Sequence, residues 1–311
     1  METKPVVAVS VITYNHEKFI GHAIENIIRQ KTDYKLKIFI TDDKSTDKTA
    51  TICKEYAKKY PDLIDFESFE KNIGVIPNWM KNYQKCIASG ARYIANCDGD
   101  DYWTDPLKLQ KQITFLNENP DYGLTFSDTV LVDLNNEEIE PSPYFIERKK
   151  IYKSGDIFWD LLKSNFVNNS SICLRTNCIT SVFPQTKSEE KKKWFIVDYW
   201  LWLHIAKENK VHFFDEIFAI YRTHGQNLTN GSNRFFLKRP SYIMLDVISA
   251  LKTKPDTPQK RNLISKILLM ILIKKKTSFS NKTKAAYYLI KYPPTYSALA
   301  EGIKKRLGNK N

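Results

Sequence analysis

The chain alternates short β-branched runs with segments of helical spacing. Val6 to Ile12 reads as a buried strand. Asn15 then stands where a helix cap is expected, ahead of Ile20, Ala23, Ile24, Ile27 and Ile28, which recur with helical period. Leu36 to Ile40 predicts a second strand that ends in Thr41-Asp42-Asp43-Lys44-Ser45-Thr46-Asp47, followed by a helix to about Tyr60. A third strand is expected from Ile64 to Phe69, a turn at Asn72-Ile73-Gly74, a helix over Ile76 to Ser89, and a strand over Arg92 to Ala95. Strands alternating with helices in this way predict βαβ units around a mostly parallel sheet, hence an α/β fold.

Beyond Pro106 the pattern predicts a helix to about Asn119, strand from Tyr122 to Leu134, and a charged, Pro-containing excursion over 135–153. Asp156 to Lys163, a strand-like Ser171 to Arg175, a helix from Asp198 to about Glu208, and short strands at Val211–Phe214 and Ile217–Tyr221 follow. From Asn227 the chain turns basic and helical with no strand signal, and no internal repeat is visible. The expected organisation is an α/β domain over 1–230 and a basic helical region over 231–311.

Charge sharpens that boundary. The net charge is +13, yet residues 1–230 carry 30 Lys/Arg against 32 Asp/Glu, while residues 231–311 carry 18 against 3. A basic tail calls for an anionic partner. Its Phe235, Phe236, Tyr242, Tyr287, Tyr288, Tyr292 and Tyr296 lie among lysines, loosely like a nucleic-acid surface. Leu263, Ile264, Ile267, Leu268, Ile271 and Leu272 beside Lys266 and Lys274–Lys276 point instead to an anionic membrane surface, or to a helix packed on the first domain. Nucleic acid is the less favoured partner. The longest apolar run, Ile267 to Ile273, is seven residues, far short of the ~20 needed to span a bilayer. Five scattered cysteines without a C-x-x-C pair and a start without a basic-then-apolar leader predict free thiols and a cytoplasmic protein, free or peripheral on the membrane's inner face. The sequons at Asn168, Asn169, Asn227, Asn230 and Asn281 are then expected to be silent.

Three polar clusters, at Thr13–His16, Asp42–Asp47 and Asp98–Asp101, fall at strand ends, where open parallel sheets hold ligands. Asp98-Gly99-Asp100-Asp101 aims carboxylates at one point, as a divalent cation held against phosphates requires, although an acidic turn has the same composition. Asp43 can accept a hydrogen bond from the imide N–H of a nucleobase, or serve the turn with Asp42 while Ser45 or Asp47 caps the next helix. Tyr14 can stack on a base or ribose beside Thr13. Asp198 precedes an aromatic helix start and is either its cap or a carboxylate of raised proton affinity fit for general-base work. His224 is either a loop histidine or a metal ligand, with Arg222 near enough in sequence to meet phosphate. His16, His22, His204 and His212 have no paired ligand spacing and are assigned no chemistry. Neither G-x-G-x-x-G after the first strand nor a Walker A sequence occurs, which disfavours dinucleotide enzymes and P-loop ATPases.

Ser10-Val11-Ile12-Thr13-Tyr14-Asn15, Thr41 to Asp47, Asn72-Ile73-Gly74, Asp98 to Pro106, Val197 to Leu201 and Tyr221 to His224 together resemble the family 2 glycosyltransferases over about residues 5–230. The resemblance implies the GT-A fold, a Rossmann-like sheet flanked by helices, and metal-dependent, inverting transfer from a nucleotide-sugar. It implies Thr13, Tyr14, Asn15, Asp43, Asn72 and Asp98 at the nucleotide-sugar, with UDP favoured, and Asp98, Asp100 and His224 on Mn²⁺ or Mg²⁺. Asp198 is implied as the catalytic base. The acceptor is expected to be a glycan or lipid-linked saccharide of surface-polysaccharide synthesis. Two departures stand out: the approach to the aspartates is the polar Asn96-Cys97, and Val197 replaces the acid that often precedes the base. The alternatives are a sugar nucleotidyltransferase, which needs a Gly-rich basic loop where Tyr14-Asn15-His16-Glu17 stands, and a non-catalytic nucleotide-sugar or nucleic-acid binder.

Overall fold

The computed structural model describes residues 7–141, 143–180, 183, 197–224, 241–251, 255–273 and 278–293. The chain divides into two compact units, Met1–Gly231 and Ser232–Asn311.

In the first unit β1 (Val7–Thr13), α1 (Ile20–Ile28), β2 (Leu36–Asp42), α2 (Thr49–Lys59), β3 (Ile64–Ser68), α3 (Val75–Ala88) and β4 (Tyr93–Asn96) follow in βαβ order. Then come β5 (Tyr102–Trp103), α4 (Lys108–Glu118), β6 (Tyr122–Val132), α5 (Pro143–Lys149), α6 (Phe158–Lys163), a 3₁₀ turn at Asn169–Ser171 and β7 (Cys173–Arg175). α7 (Asn177–Thr180), α8 (Val197–Glu208) and β8 (Lys210–Arg222) close the unit. One eight-stranded sheet runs in the order β3-β2-β1-β4-β7-β6-β8-β5. β1 is parallel to β2 and β4, β2 to β3, and β6 to β8, whereas β7 and β5 run antiparallel to their neighbours. The mostly parallel α/β expectation holds.

β1 is buried on both faces of the sheet. Val7, Val9 and Val11 join Ile20, Ala23, Ile24 and Ile27 of α1 in the main core, with Ile38 and Ile40 from β2 and Leu109 and Ile113 from α4. Each such aliphatic side chain contributes roughly 1.5–3 kcal/mol when fully buried. On the other face, the buried amide of Asn82 donates to the carbonyls of Val11 and Phe39, pinning α3 across β1 and β2.

Two elements depart from the sequence pattern. The paired short strands expected at Val211–Phe214 and Ile217–Tyr221 are one strand, β8, whose register against β6 shifts around Asp128. The polar Asp215-Glu216 pair that reads as a break instead sits exposed in that irregular stretch. The 135–153 excursion contains α5 and a bridge from Val132 to Glu138, and Lys149 at the end of α5 pairs with Asp128 at 2.7 Å. All five cysteines are free thiols.

The second unit contains α9 (Ser241–Ser249), α10 (Pro258–Ile273) and α11 (Phe279–Lys291), which pack on one another. Ile264, Ile267, Leu268 and Ile271 are buried, so the apolar stripe of α10 is consumed by packing. Among the described residues of this unit, the large exposed apolar side chains are Phe279, Tyr287 and Ile290 on α11 and Met270 and Ile273 at the end of α10. Asn227, Asn230, Phe235, Phe236, Lys274–Lys276 and Tyr296 lie outside the described residues, as does the side chain of Tyr242. Among the described residues, no helix is long and apolar enough to cross a membrane.

Candidate active site

β1 lies between β2 and β4, so the three polar clusters emerge side by side. Backbone bonds bind the exits together: Asp43 N–H donates to Thr13 O at 3.0 Å, and Gly99 N–H to Ile12 O at 3.0 Å. Asn15 is in the left-handed region at φ 56°, a conformation Asn tolerates better than most residues. It therefore does not cap α1, whose cap position is Phe19. Its side-chain oxygen accepts from Thr46 N–H at 2.8 Å, and its own N–H donates to Ser45 Oγ at 2.9 Å. Glu17 N–H reaches Asp47 and Lys48 N–H reaches Glu17, so the loops after β1 and β2 are clasped.

Asp42 is fully buried and takes bonds from Ser45 and from Ser68 Oγ, a structural assignment. Asp43 accepts from Ile73 N–H at 2.7 Å and Gly74 N–H at 2.9 Å, so the Asn72-Ile73-Gly74 turn holds its carboxylate in place. Each oxygen retains a lone pair for a further donor. Burial raises the Asp43 pKa against the lowering effect of those two N–H groups. Tyr14 is 41% exposed, and Asn72 of the turn is exposed as well. Thr13 Oγ1 is buried without a partner.

The three aspartates after β4 have separate surroundings. Asp101 is buried and accepts from Ser170 Oγ at 2.5 Å and from Arg222 N–H at 3.0 Å, locking β8 to the loop. Asp98 accepts two bonds, at 2.9 Å each, from Asn169 Nδ2. Burial and the charge of Asp100 push its carboxyl up to about 7, with Asn169 opposing and the Asp198 charge adding. Asp100 Oδ2 lies 2.9 Å from His224 Nε2 and 3.8 Å from His16 Nε2. Burial would raise the Asp100 pKa, but the two imidazoles hold it below the ordinary carboxylate value. One ligand atom from each of His16, Asp100 and His224 fits within 4.8 Å of the other two. Imidazole nitrogens and a carboxylate oxygen at that spacing are a chemically apt donor set for a divalent cation.

The structure thus brings Asp100 and His224 together, adds His16, and leaves Asp98 outside that cluster, facing Asn169. His16, to which the sequence assigned no chemistry, stands in that cluster. Its one sequence signal was membership of the Thr13–His16 cluster at a strand end. Asn169 and Ser170 escape a sequence reading because they come from a turn far along the chain, while Asn96 shows there only as a polar departure ahead of the aspartates. Tyr83 Oη donates to Asn96 Oδ1, and Asn96 Nδ2 to Asn169 Oδ1 at 2.7 Å, a relay that ends on Asp98. Arg222, suggested as a phosphate contact, is instead buried, donating to Asp100 O and to Asn136 Oδ1.

Asp198 occupies the first turn of α8. Burial raises its pKa, opposed by N–H groups of its own helix and by Arg148. Its charge raises the proton affinity of both Tyr83 and Asp98.

A model of glycosyl transferase family 2 matches residues 8–174. An uncharacterized protein of Mycobacterium tuberculosis is 31% identical over 219 residues, covering 70% of this chain and 58% of the relative, so the chain spans less than two thirds of that protein's length. The Staphylococcus aureus protein TarS, solved with UDP-GlcNAc, superposes with TM-score 0.57 at 15% identity over 92% of this chain and 80% of the other. A mannosyltransferase from Pyrobaculum calidifontis, solved with GDP-Man and Mn²⁺, gives TM-score 0.56 at 16% identity over 98% of this chain and 81% of its own. Both likenesses establish the GT-A-type fold. With its sheet, its strand-end aspartates and the matched family model, the chain belongs to glycosyl transferase family 2.

Proposed function

We propose that the enzyme moves a sugar from a nucleoside-diphosphate sugar, UDP favoured, to a hydroxyl of a glycan or lipid-linked saccharide, with inversion and with Mn²⁺ or Mg²⁺. The observation that supports this is the convergence, at adjacent strand ends, of the Asp43 carboxylate and the Asp100–His224 pair, with the Asp198 charge acting on Asp98. Uracil, thymine and guanine each present an imide-type N–H to Asp43, and Tyr14 offers a stacking face. Bound to Asp100 and His224, a divalent cation supplies charge neutralisation for the departing diphosphate. Asp98, oriented by Asn169, suits a ribose hydroxyl contact. Asp198 takes the proton from the acceptor hydroxyl. The freed oxygen pair bonds to the anomeric carbon, and the carbon–oxygen bond to the diphosphate breaks with its electron pair leaving on the nucleotide.

The basic second unit supports an anionic membrane surface as a further partner, with a cytoplasmic protein bound peripherally and a role in surface-polysaccharide synthesis. The support is the stripe of Phe279, Tyr287 and Ile290, exposed on α11 with Lys284 and Lys291 exposed on the same helix.

A panel of UDP-, dTDP- and GDP-sugars tests the donor reading by nucleotide release and thermal stabilisation with and without Mn²⁺. Metal-dependent release from a UDP-sugar is the expected result. A protein that neither turns over nor is stabilised by any member of the panel refutes it.

A further inference from the structure

We infer that His16 is a third protein ligand of the divalent cation, completing a two-imidazole, one-carboxylate site that selects an imidazole-binding transition ion over Mg²⁺. The inference rests on the metal-dependent reading above and concerns which residues hold the ion and which ion they prefer.

Geometry carries the argument. His16 Nε2 and His224 Nε2 converge on the same Asp100 oxygen from separate elements, one after β1 and one after β8. Metal–nitrogen and metal–oxygen bonds of about 2.0–2.2 Å place neighbouring ligand atoms roughly 3 Å apart and opposite ones a little over 4 Å apart. Separations of 2.9 and 3.8 Å, with all three atoms inside 4.8 Å, fall in that window. The 3.8 Å gap is also too long for a hydrogen bond, so His16 is not explained as a partner of Asp100. Nor is it a satisfied core histidine, because its Nδ1 is buried with no partner. An ion between His16 Nε2 and Asp100 Oδ2 accounts for an imidazole otherwise held at the wrong distance.

The backbone holds His16 ready for this task. Its N–H donates to Thr49 Oγ1 at 2.8 Å, and its carbonyl accepts from Phe19 N–H and Ile20 N–H, both at 2.9 Å. His16 therefore sits in the turn that leads into α1, directly after the left-handed Asn15. On the other side Phe19 stacks on His224 at 5.4 Å between centroids, fixing the second imidazole. Ligands positioned by such supporting contacts bind without reorganising.

Selectivity follows from the donor atoms. Mg²⁺ takes oxygen ligands and gives up its water reluctantly, whereas imidazole favours first-row transition ions in the order Mn²⁺ below Co²⁺. A site of two nitrogens and one oxygen is poor for Mg²⁺.

The test uses the full chain with metal ions alone and again with UDP. Calorimetry should rank Co²⁺ above Mn²⁺ and Mn²⁺ at least tenfold above Mg²⁺. Electron spin echo modulation of bound Mn²⁺ should count two directly coordinated imidazole nitrogens in the wild type and one in His16→Ala. His16→Ala should bind Mn²⁺ about 10–100-fold more weakly while binding UDP without metal as before. A single coordinated nitrogen in the wild type, or equal affinity for Mn²⁺ and Mg²⁺, overturns the inference and leaves metal binding by Asp100 and His224 intact. Absence of divalent-cation binding with or without UDP overturns the metal-dependent reading itself. The nitrogen count and ion ranking are read on unaltered protein, so they decide the matter even where His16→Ala fails to fold.

Discussion

Asp198 and Asn169 separate two kinds of contribution to one site. Asp198→Asn keeps size and shape but removes the basic lone pair, so nucleotide release to acceptor should fall about 10²–10⁴-fold with UDP binding unchanged. Steady-state kinetics beside a binding isotherm checks this, and a variant within threefold of wild type removes Asp198 from the chemistry. Because burial raises its pKa, the acid side of the wild-type rate profile should lie above the ordinary carboxylate value of about 3.9. Asn169→Ala acts differently. It frees the Asp98 carboxylate and strands the buried Asn96 amide, costing about 1–3 kcal/mol in urea unfolding together with roughly tenfold in turnover. The acids of the site were legible because strand ends in a parallel sheet are where polar residues matter. His16 and Asn169 were not, since their roles depend on partners in Asp100 and Asp98 that only the folded sheet brings near.

At the scale of elements, the site depends on how closely the loop after β4 passes the loop after β1. A Cβ on Gly99 would meet Thr13 Oγ1 at 2.8 Å, Thr13 Cβ at 2.9 Å and His16 Nδ1 at 2.9 Å. Gly99→Ala should push these loops apart, losing about 1–3 kcal/mol of stability and most activity, read by thermal unfolding and turnover together. Helix α4 carries a second constraint, one the sequence hid. Lys108 reads as a surface residue at the start of a helix. In the fold it is fully buried, with Nζ 2.7 Å from Gln112 Oε1 and 4.2 Å from the centre of the Trp103 ring. Burial lowers its pKa to about 8. The unfolded chain then holds the proton more tightly, near a pKa of about 10.4, so this residue's contribution to stability is least favourable below pH 8 and improves as pH rises. Compared with Lys108→Met, the wild type should gain about 1 kcal/mol between pH 7 and 9. Parallel urea curves at the two pH values test it, and a constant difference refutes the buried-cation account. The βαβ half was readable from periodicity, whereas β8 and α5 were obscured by exposed charges that punctuate without breaking the chain.

For the whole molecule, charge and fold divide the labour. Residues 1–230 are close to neutral and carry the family 2 sheet, while 231–311 hold 18 Lys/Arg against 3 Asp/Glu. Sequence shows that asymmetry and leaves the apolar stripe of α10 open between a membrane surface and packing; the fold buries it. α10 has the stronger hydrophobic run, and that is why it is buried among its neighbours, leaving α11 to present apolar groups. Phe279 and Ile290 are 86% and 82% exposed, and such residues inserted into an interface each contribute roughly 1.5–3 kcal/mol. Full-length protein should therefore float with vesicles containing anionic lipid, and Phe279→Ser with Ile290→Ser should weaken that partition at least tenfold. Lysines near the surface add about 1 kcal/mol each within a Debye length, which shrinks from about 10 Å at 0.1 M salt to 3 Å at 1 M. Raising salt across that range should release much of the wild-type protein and should act equally on the double variant, since the two contributions are independent. Flotation that ignores both salt and the two substitutions would rule out the α11 face as the membrane contact.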